Sequence, residues 1–169
     1  MTQEDMQAAT DVVAGTLLLE SQHVYTLIDP GATYSFVARK WEDKLKMQPM
    51  RVEKGVVIGT PLGETVLIRY VYKGFRVRIG DVEMRVDLLP LDLHDFEMIL
   101  GMDWLVTYRA QIDCFTKMVT LQDEGGRRVE FRGEGNVIPN SIISVTIKKK
   151  MYNLSCLCNR FEKERNRVG

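Results

Sequence analysis

The sequence predicts a mainly β domain with barrel-like closure and two short helices. Three observations carry that expectation. Short runs rich in Val, Ile, Leu and Tyr recur along the chain. Turn-forming Gly, Pro and Asp separate them at regular intervals. Apolar residues at helical spacing surface in only two brief stretches.

The elements follow in order. Thr16-Leu17-Leu18-Leu19 and Val24-Tyr25-Thr26-Leu27-Ile28 flank the polar stretch Glu20-Ser21-Gln22-His23, which reads as a hairpin. Asp29-Pro30-Gly31-Ala32-Thr33 is a turn by composition. Val37, Trp41 and Leu45 recur at four-residue spacing with charged residues between them, so a short amphipathic helix is expected from near Ser35. Val56-Val57-Ile58 and the run from Thr65 to Val71 enclose Gly59-Thr60-Pro61-Leu62-Gly63, a hairpin tip. Lys73-Gly74 and Gly80-Asp81 are further turn signals, bounding strands from Phe75 to Ile79 and from Val82 to Leu89. Met98-Ile99-Leu100 is a short strand ending at Gly101, and Met102 to Tyr108 is the second expected helix. Strands at 110–114, 118–121 and 127–131 complete the domain, the last two joined by Asp123-Glu124-Gly125-Gly126.

Composition narrows the function. The chain has 169 residues, 45% hydrophobic and 27% charged, enough for one domain with its own core. Lys plus Arg and Asp plus Glu both number 23, so there is no basic excess for nucleic acid. Lys148-Lys149-Lys150 and the mixed-charge tail after it read as a solvated end of the chain. The polar, acidic start is unlike a signal peptide, and no apolar run approaches the ~20 residues of a membrane helix. Three cysteines fit a reducing compartment, and Cys156-Leu157-Cys158 is weak as a metal site. A cytoplasmic setting is expected.

Most catalytic chemistries lack their residues here. The two histidines, His23 and His94, stand near no nucleophile or ligand cluster, and no phosphate-binding glycine motif occurs. Acid–base work by carboxylates remains, with neither metal nor cofactor. Asp29 stands out because it ends a strongly apolar strand and precedes a Gly turn. Gly31 would let backbone amides approach and orient it. Turn chemistry alone also favours Asp at such a position. Asp103 reads as the N-cap of the second helix and Asp113 as structural.

The wider context is more specific. Leu27-Ile28-Asp29-Pro30-Gly31-Ala32-Thr33-Tyr34-Ser35-Phe36 resembles the active-site segment of retropepsin-like aspartic proteases, above all those of plant gypsy-type (Metaviridae) LTR retrotransposon polyproteins. Phe96-Glu97-Met98-Ile99-Leu100-Gly101-Met102-Asp103-Trp104-Leu105 resembles the strand and helix that support the catalytic loop in that family. The stretch from Ala110 to Leu121 is similar to a third family segment.

The resemblance implies a retropepsin-like closed β-barrel over residues 12–147, between a polar extension (1–11) and a linker or degenerate tail (148–169). It implies catalysis by Asp29 within the loop Pro30, Gly31, Ala32 and Thr33. Ile99, Leu100 and Gly101 would support that loop, and Gly59, Thr60, Pro61, Leu62 and Gly63 would form a flap over substrate. In this family two aspartates share a proton and activate one water against a peptide carbonyl. Asp29-Pro30-Gly31 has no second copy, so the implied enzyme is a homodimer processing a polyprotein, within the cell or in virus-like particles. Pro30 departs from the Ser or Thr common in the family, and proline has neither the hydroxyl nor the N–H that link the two loops across such a dimer. The alternative is an inactive dimerisation or interaction module left from a degenerate element.

Overall fold

The computed structural model describes residues 13–46, 48–59 and 63–134. Strands β1 (Val13–Leu19) and β2 (Gln22–Ile28) form the first hairpin, and Gln22 and His23 belong to its second strand. The loop shrinks to Glu20 and Ser21, both with positive φ (47° and 67°), the backbone sense that suits a tight antiparallel turn.

Strands β3 (Phe36–Ala38), β4 (Met50–Gly59), β5 (Thr65–Ile79), β6 (Val82–Leu91) and β7 (Met98–Leu100) complete a seven-stranded sheet in the order β1-β2-β7-β3-β6-β5-β4. A further pairing of β1 with β5, Leu18 to Arg78 and Leu19 to Val77, brings the sheet round on itself. After β7 come helix α1 (Met102–Thr107) and a three-stranded sheet of β8 (Gln111–Asp113), β9 (Met118–Gln122) and β10 (Arg128–Arg132).

The centre of the sheet is buried on both faces, which is why its strands read as continuous apolar runs. Side chains alternate between two clusters with the period of a strand. Val24, Ile28, Val37, Met98 and Leu100 join the main core, with Phe75, Trp104 and Leu121. Leu27, Phe36 and Ile99 point the other way, into a second cluster with Ile68, Leu89 and Phe96.

Two expectations are corrected. No α-helix covers Val37 to Leu45: Phe36–Ala38 is strand β3, followed by a single 3-10 turn, Arg39–Trp41. The backbone of Phe36–Ala38 is claimed by two partners, parallel β6 (Phe36 to Leu89) and antiparallel β7 (Phe36 to Ile99), and that pairing overrides the local pattern. Val37, Trp41 and Leu45 are nonetheless all core residues. Second, Lys73-Gly74 does not end a strand. β5 runs on through it, with a bulge between Tyr72 and Phe75. Gly74 takes φ +70° there, its N–H donates to Asp87 Oδ1 at 2.9 Å, and its carbonyl accepts from Arg85 Nη1 at 3.0 Å. Among the described residues no helix is long and apolar enough to cross a membrane.

Candidate active site

Asp29 follows the last residue of β2. Its backbone N–H donates to the Leu100 carbonyl at 2.9 Å, extending the parallel pairing of Ile28 with Leu100 by one bond. Its side chain is 3% exposed, which makes it the one buried charged residue among those described. Burial is the largest influence on its carboxyl and raises the pKa to about 7, while the Gly31 and Ala32 amides pull it down. The Gly31 N–H reaches Asp29 Oδ1 at 2.7 Å and fixes the carboxyl's orientation. A carboxyl in this setting can hold or release its proton near neutral pH, as acid–base chemistry requires.

The loop after Asp29 rests on the start of α1. Met102 N–H donates to the Ala32 carbonyl at 2.7 Å and Asp103 N–H to the Thr33 carbonyl at 3.2 Å. The Gly101 N–H donates to Ser35 Oγ at 3.0 Å. Amides around the start of a helix lack partners within it, and here the 32–35 segment supplies them. Gly101 must be glycine. A Cβ there would lie 2.2 Å from the Tyr34 carbonyl oxygen and 2.7 Å from that of Ala32, and both obstacles are backbone.

Asp103 is not the expected cap. Gly101 occupies the N-cap position without a side-chain bond, and Asp103 lies inside the first turn. Its Oδ1 accepts from the Trp104 N–H at 2.8 Å and from the Ser35 hydroxyl at 2.7 Å. Ser35 is fully buried; the sequence places it at an expected helix start and within the 27–36 segment, but gives it no role of its own. No local signal marks its role, because both partners lie more than sixty residues away. Asp113 is structural, its Oδ1 accepting from the Phe115 and Thr116 amides in the turn after β8.

The remaining expected site residues fall around this loop. Pro30, Gly31 and Ala32 are half-buried and Thr33 is exposed. Ile99 and Leu100 are buried on opposite faces of β7. The hairpin of β4 and β5 pairs Val56 with Ile68, Ile58 with Val66, and Gly59 with Thr65. Its inner residues Val56, Ile58, Val66 and Ile68 share one apolar cluster with Ala32, Leu27 and Ile99, while Val57 and Leu67 face outward. Of the five expected flap residues, Gly59 and Gly63 are described; Thr60, Pro61 and Leu62 lie outside the described residues, as do 1–12 and 135–169. Among the described residues no group of three or more His, Cys, Asp or Glu could hold a metal.

The sequence model of the retroviral aspartyl protease family matches residues 1–127. The chain belongs to that family. Among solved structures it is similar to the retroviral protease-like domain of Ddi1 from Leishmania major, with TM-score 0.53 and 13% identity over 74% of this chain and 95% of that one. At that identity the likeness speaks for the retropepsin-like fold alone. EIAV protease, solved with the inhibitor HBY-793, matches with TM-score 0.44 and 20% identity over 55% of this chain and 84% of that one. No curated protein matches the chain. Asp29, Pro30 and Gly31 lie within the matched range, at the end of β2 and in the turn after it.

Proposed function

We propose that this chain cleaves polypeptides as a homodimer, with Asp29 of each copy acting on a single water. The observation that carries the reading is the setting of Asp29: buried, at a strand end, oriented by the Gly31 amide, with a pKa near 7. Two such carboxyls brought face to face would share one proton, one acting as acid and the other as base. The motif occurs once in the chain, so the second carboxyl must come from a second copy. The β4–β5 hairpin would close over the peptide and exclude water, its apolar inner face favouring apolar side chains beside the scissile bond. The substrate is read as a retrotransposon polyprotein of the plant gypsy type, on the likeness of the 27–36 and 96–105 segments.

The test is cleavage of a mixed peptide library by the purified chain and by Asp29→Asn, from acidic to neutral pH and over a wide concentration range. Cleavage that rises faster than linearly with protein concentration and vanishes in the mutant is the expected result. Cleavage that persists in Asp29→Asn would sink the proposal.

A second reading is favoured by Pro30. Proline supplies neither hydroxyl nor N–H where the family links its two loops, which suits a retropepsin fold kept as a non-catalytic interaction module. Dimers in sedimentation with no cleavage at any pH would select it.

A further inference from the structure

We propose that Ser35 and Asp103 are positioning residues for the Asp29 carboxyl, acting through the peptide unit between Leu100 and Gly101. This rests on Asp29 being the acid–base group proposed above.

The two ends of that peptide unit have different partners. Its carbonyl, on Leu100, accepts from the Asp29 N–H at 2.9 Å. Its N–H, on Gly101, donates to Ser35 Oγ at 3.0 Å. The Ser35 hydroxyl then donates to Asp103 Oδ1 at 2.7 Å. The chain therefore runs from the Asp29 amide, through one rigid peptide plane and one hydroxyl, to an exposed carboxylate. A peptide plane held at both ends has one rotational setting. Freed at its N–H end, it can tilt, and the backbone of Asp29 tilts with it.

Only a hydroxyl can accept from Gly101 and donate to Asp103 at the same atom. Ser35 is 0% exposed, so bulk solvent does not compete for either of its bonds. The lack of room at Gly101 makes the setting narrow, since a Cβ there would run into the Tyr34 and Ala32 carbonyl oxygens. Asp103 has a second bond to orient it, from the Trp104 N–H at 2.8 Å, so its Oδ1 stays aimed at Ser35.

The test compares three variants of the full chain, Ser35→Ala, Asp103→Asn and Asp103→Leu. Asn keeps an Oδ1 acceptor without charge, whereas Leu keeps similar bulk without an acceptor; their difference isolates the hydrogen bond. Two readouts need no activity: the titration midpoint of the Asp29 carboxyl by carbon NMR, and hydrogen exchange at the Gly101 amide. In Ser35→Ala and Asp103→Leu the Gly101 amide should exchange about tenfold faster or more, and the Asp29 midpoint should move. Asp103→Asn should stay close to wild type in exchange. If the wild type cleaves peptides, kcat should fall roughly 10–100-fold in Ser35→Ala with KM within about threefold, the mark of a misplaced catalytic group. A wild type that cleaves nothing would sink the proposed function, and the NMR and exchange readouts would still decide this inference. Should Ser35→Ala fail to fold, Asp103→Leu decides alone, because its site is at the surface. Wild-type Asp29 titration and Gly101 protection in the folded variants would overturn the proposal.

Discussion

Asp29 and Ser35 hold opposite ends of one peptide unit, the Asp29 amide bound to its carbonyl and the Ser35 hydroxyl to its N–H. Five residues lie between them in sequence, and in the sheet a strand from much later in the chain lies between β2 and β3. That strand, β7, is parallel to β2 and antiparallel to β3, so it threads between the two ends of the 29–35 segment. The segment is consequently fixed from below at both ends, and α1 fixes its middle through the Ala32 and Thr33 carbonyls. A rigid frame beneath a buried carboxyl is what precise acid–base placement demands.

The same burial should make Asp29 a liability for stability. Its pKa is raised from 3.8 to about 7, so the folded chain binds the proton more tightly than the unfolded chain does. Stability should therefore fall as pH rises from about 4 to about 7 and level off above that, by up to about 4 kcal/mol. Asp29→Asn cannot ionise and should lose this slope. Urea unfolding across pH would check it: the mutant should be the more stable protein at pH 8, by at least about 1 kcal/mol. Equal slopes in the two proteins would mean Asp29 is not the titrating group.

Gly101→Ala should be among the most damaging small substitutions in the domain. The added methyl would meet the Tyr34 and Ala32 carbonyl oxygens, and both belong to backbone already bonded to its surroundings. Overpacking of this kind costs about 1–3 kcal/mol or more. Chemical denaturation should show that loss, and any cleavage should fall with it because the displaced atoms carry the Asp29 loop. Gly63→Ala is a useful contrast, since its Cβ would meet nothing within 4 Å, although its φ of +81° still adds strain.

How much of this was legible beforehand follows from where each signal resides. The hairpins, the short strand Met98–Leu100 and the Asp29 turn announce themselves through local alternation and turn residues, and they appear where expected. The spacing of Val37, Trp41 and Leu45 correctly marks core positions but not their conformation. Pairing with β6 and β7 decides that, and those partners lie fifty to sixty residues downstream. Gly74 looks like a strand end because a bulge uses the same residue as a turn. Ser35 falls inside the family-like 27–36 segment, yet no local pattern assigns it partners; its bonds exist only once Gly101 and Asp103 are folded against it.

Tyr108 offers a test of how α1 and its sequel are tied to the sheet. Its hydroxyl accepts from the Arg85 N–H at 2.6 Å and donates to the Arg85 carbonyl at 3.1 Å. β3 pairs with β6 only from Leu89 onward, so at Arg85 the tyrosine stands in for a missing strand. Tyr108→Phe keeps the ring packed in the core but leaves both backbone groups unpaired. A loss of about 1–3 kcal/mol is expected, read by urea unfolding. Unchanged stability would show that water satisfies Arg85 equally well.

Pro30→Thr bears on the dimer itself. Residue 30 is half-buried beside Asp29, and the reading of the chain as a homodimer places it near the two-fold axis. Threonine would restore a backbone N–H and a hydroxyl, each able to bond across the interface. Net gains of about 0.5–1.5 kcal/mol per new bond would tighten the dimer several-fold to tenfold or more. Sedimentation equilibrium of wild type and Pro30→Thr should show the mutant dimerising at lower concentration. Its cleavage should then become linear in protein concentration over a range where the wild type still rises faster than linearly. If instead the mutant dimerises less well, the proline ring is itself an interface contact. The pre-set backbone it imposes on Asp29 would then outweigh the bonds it forgoes.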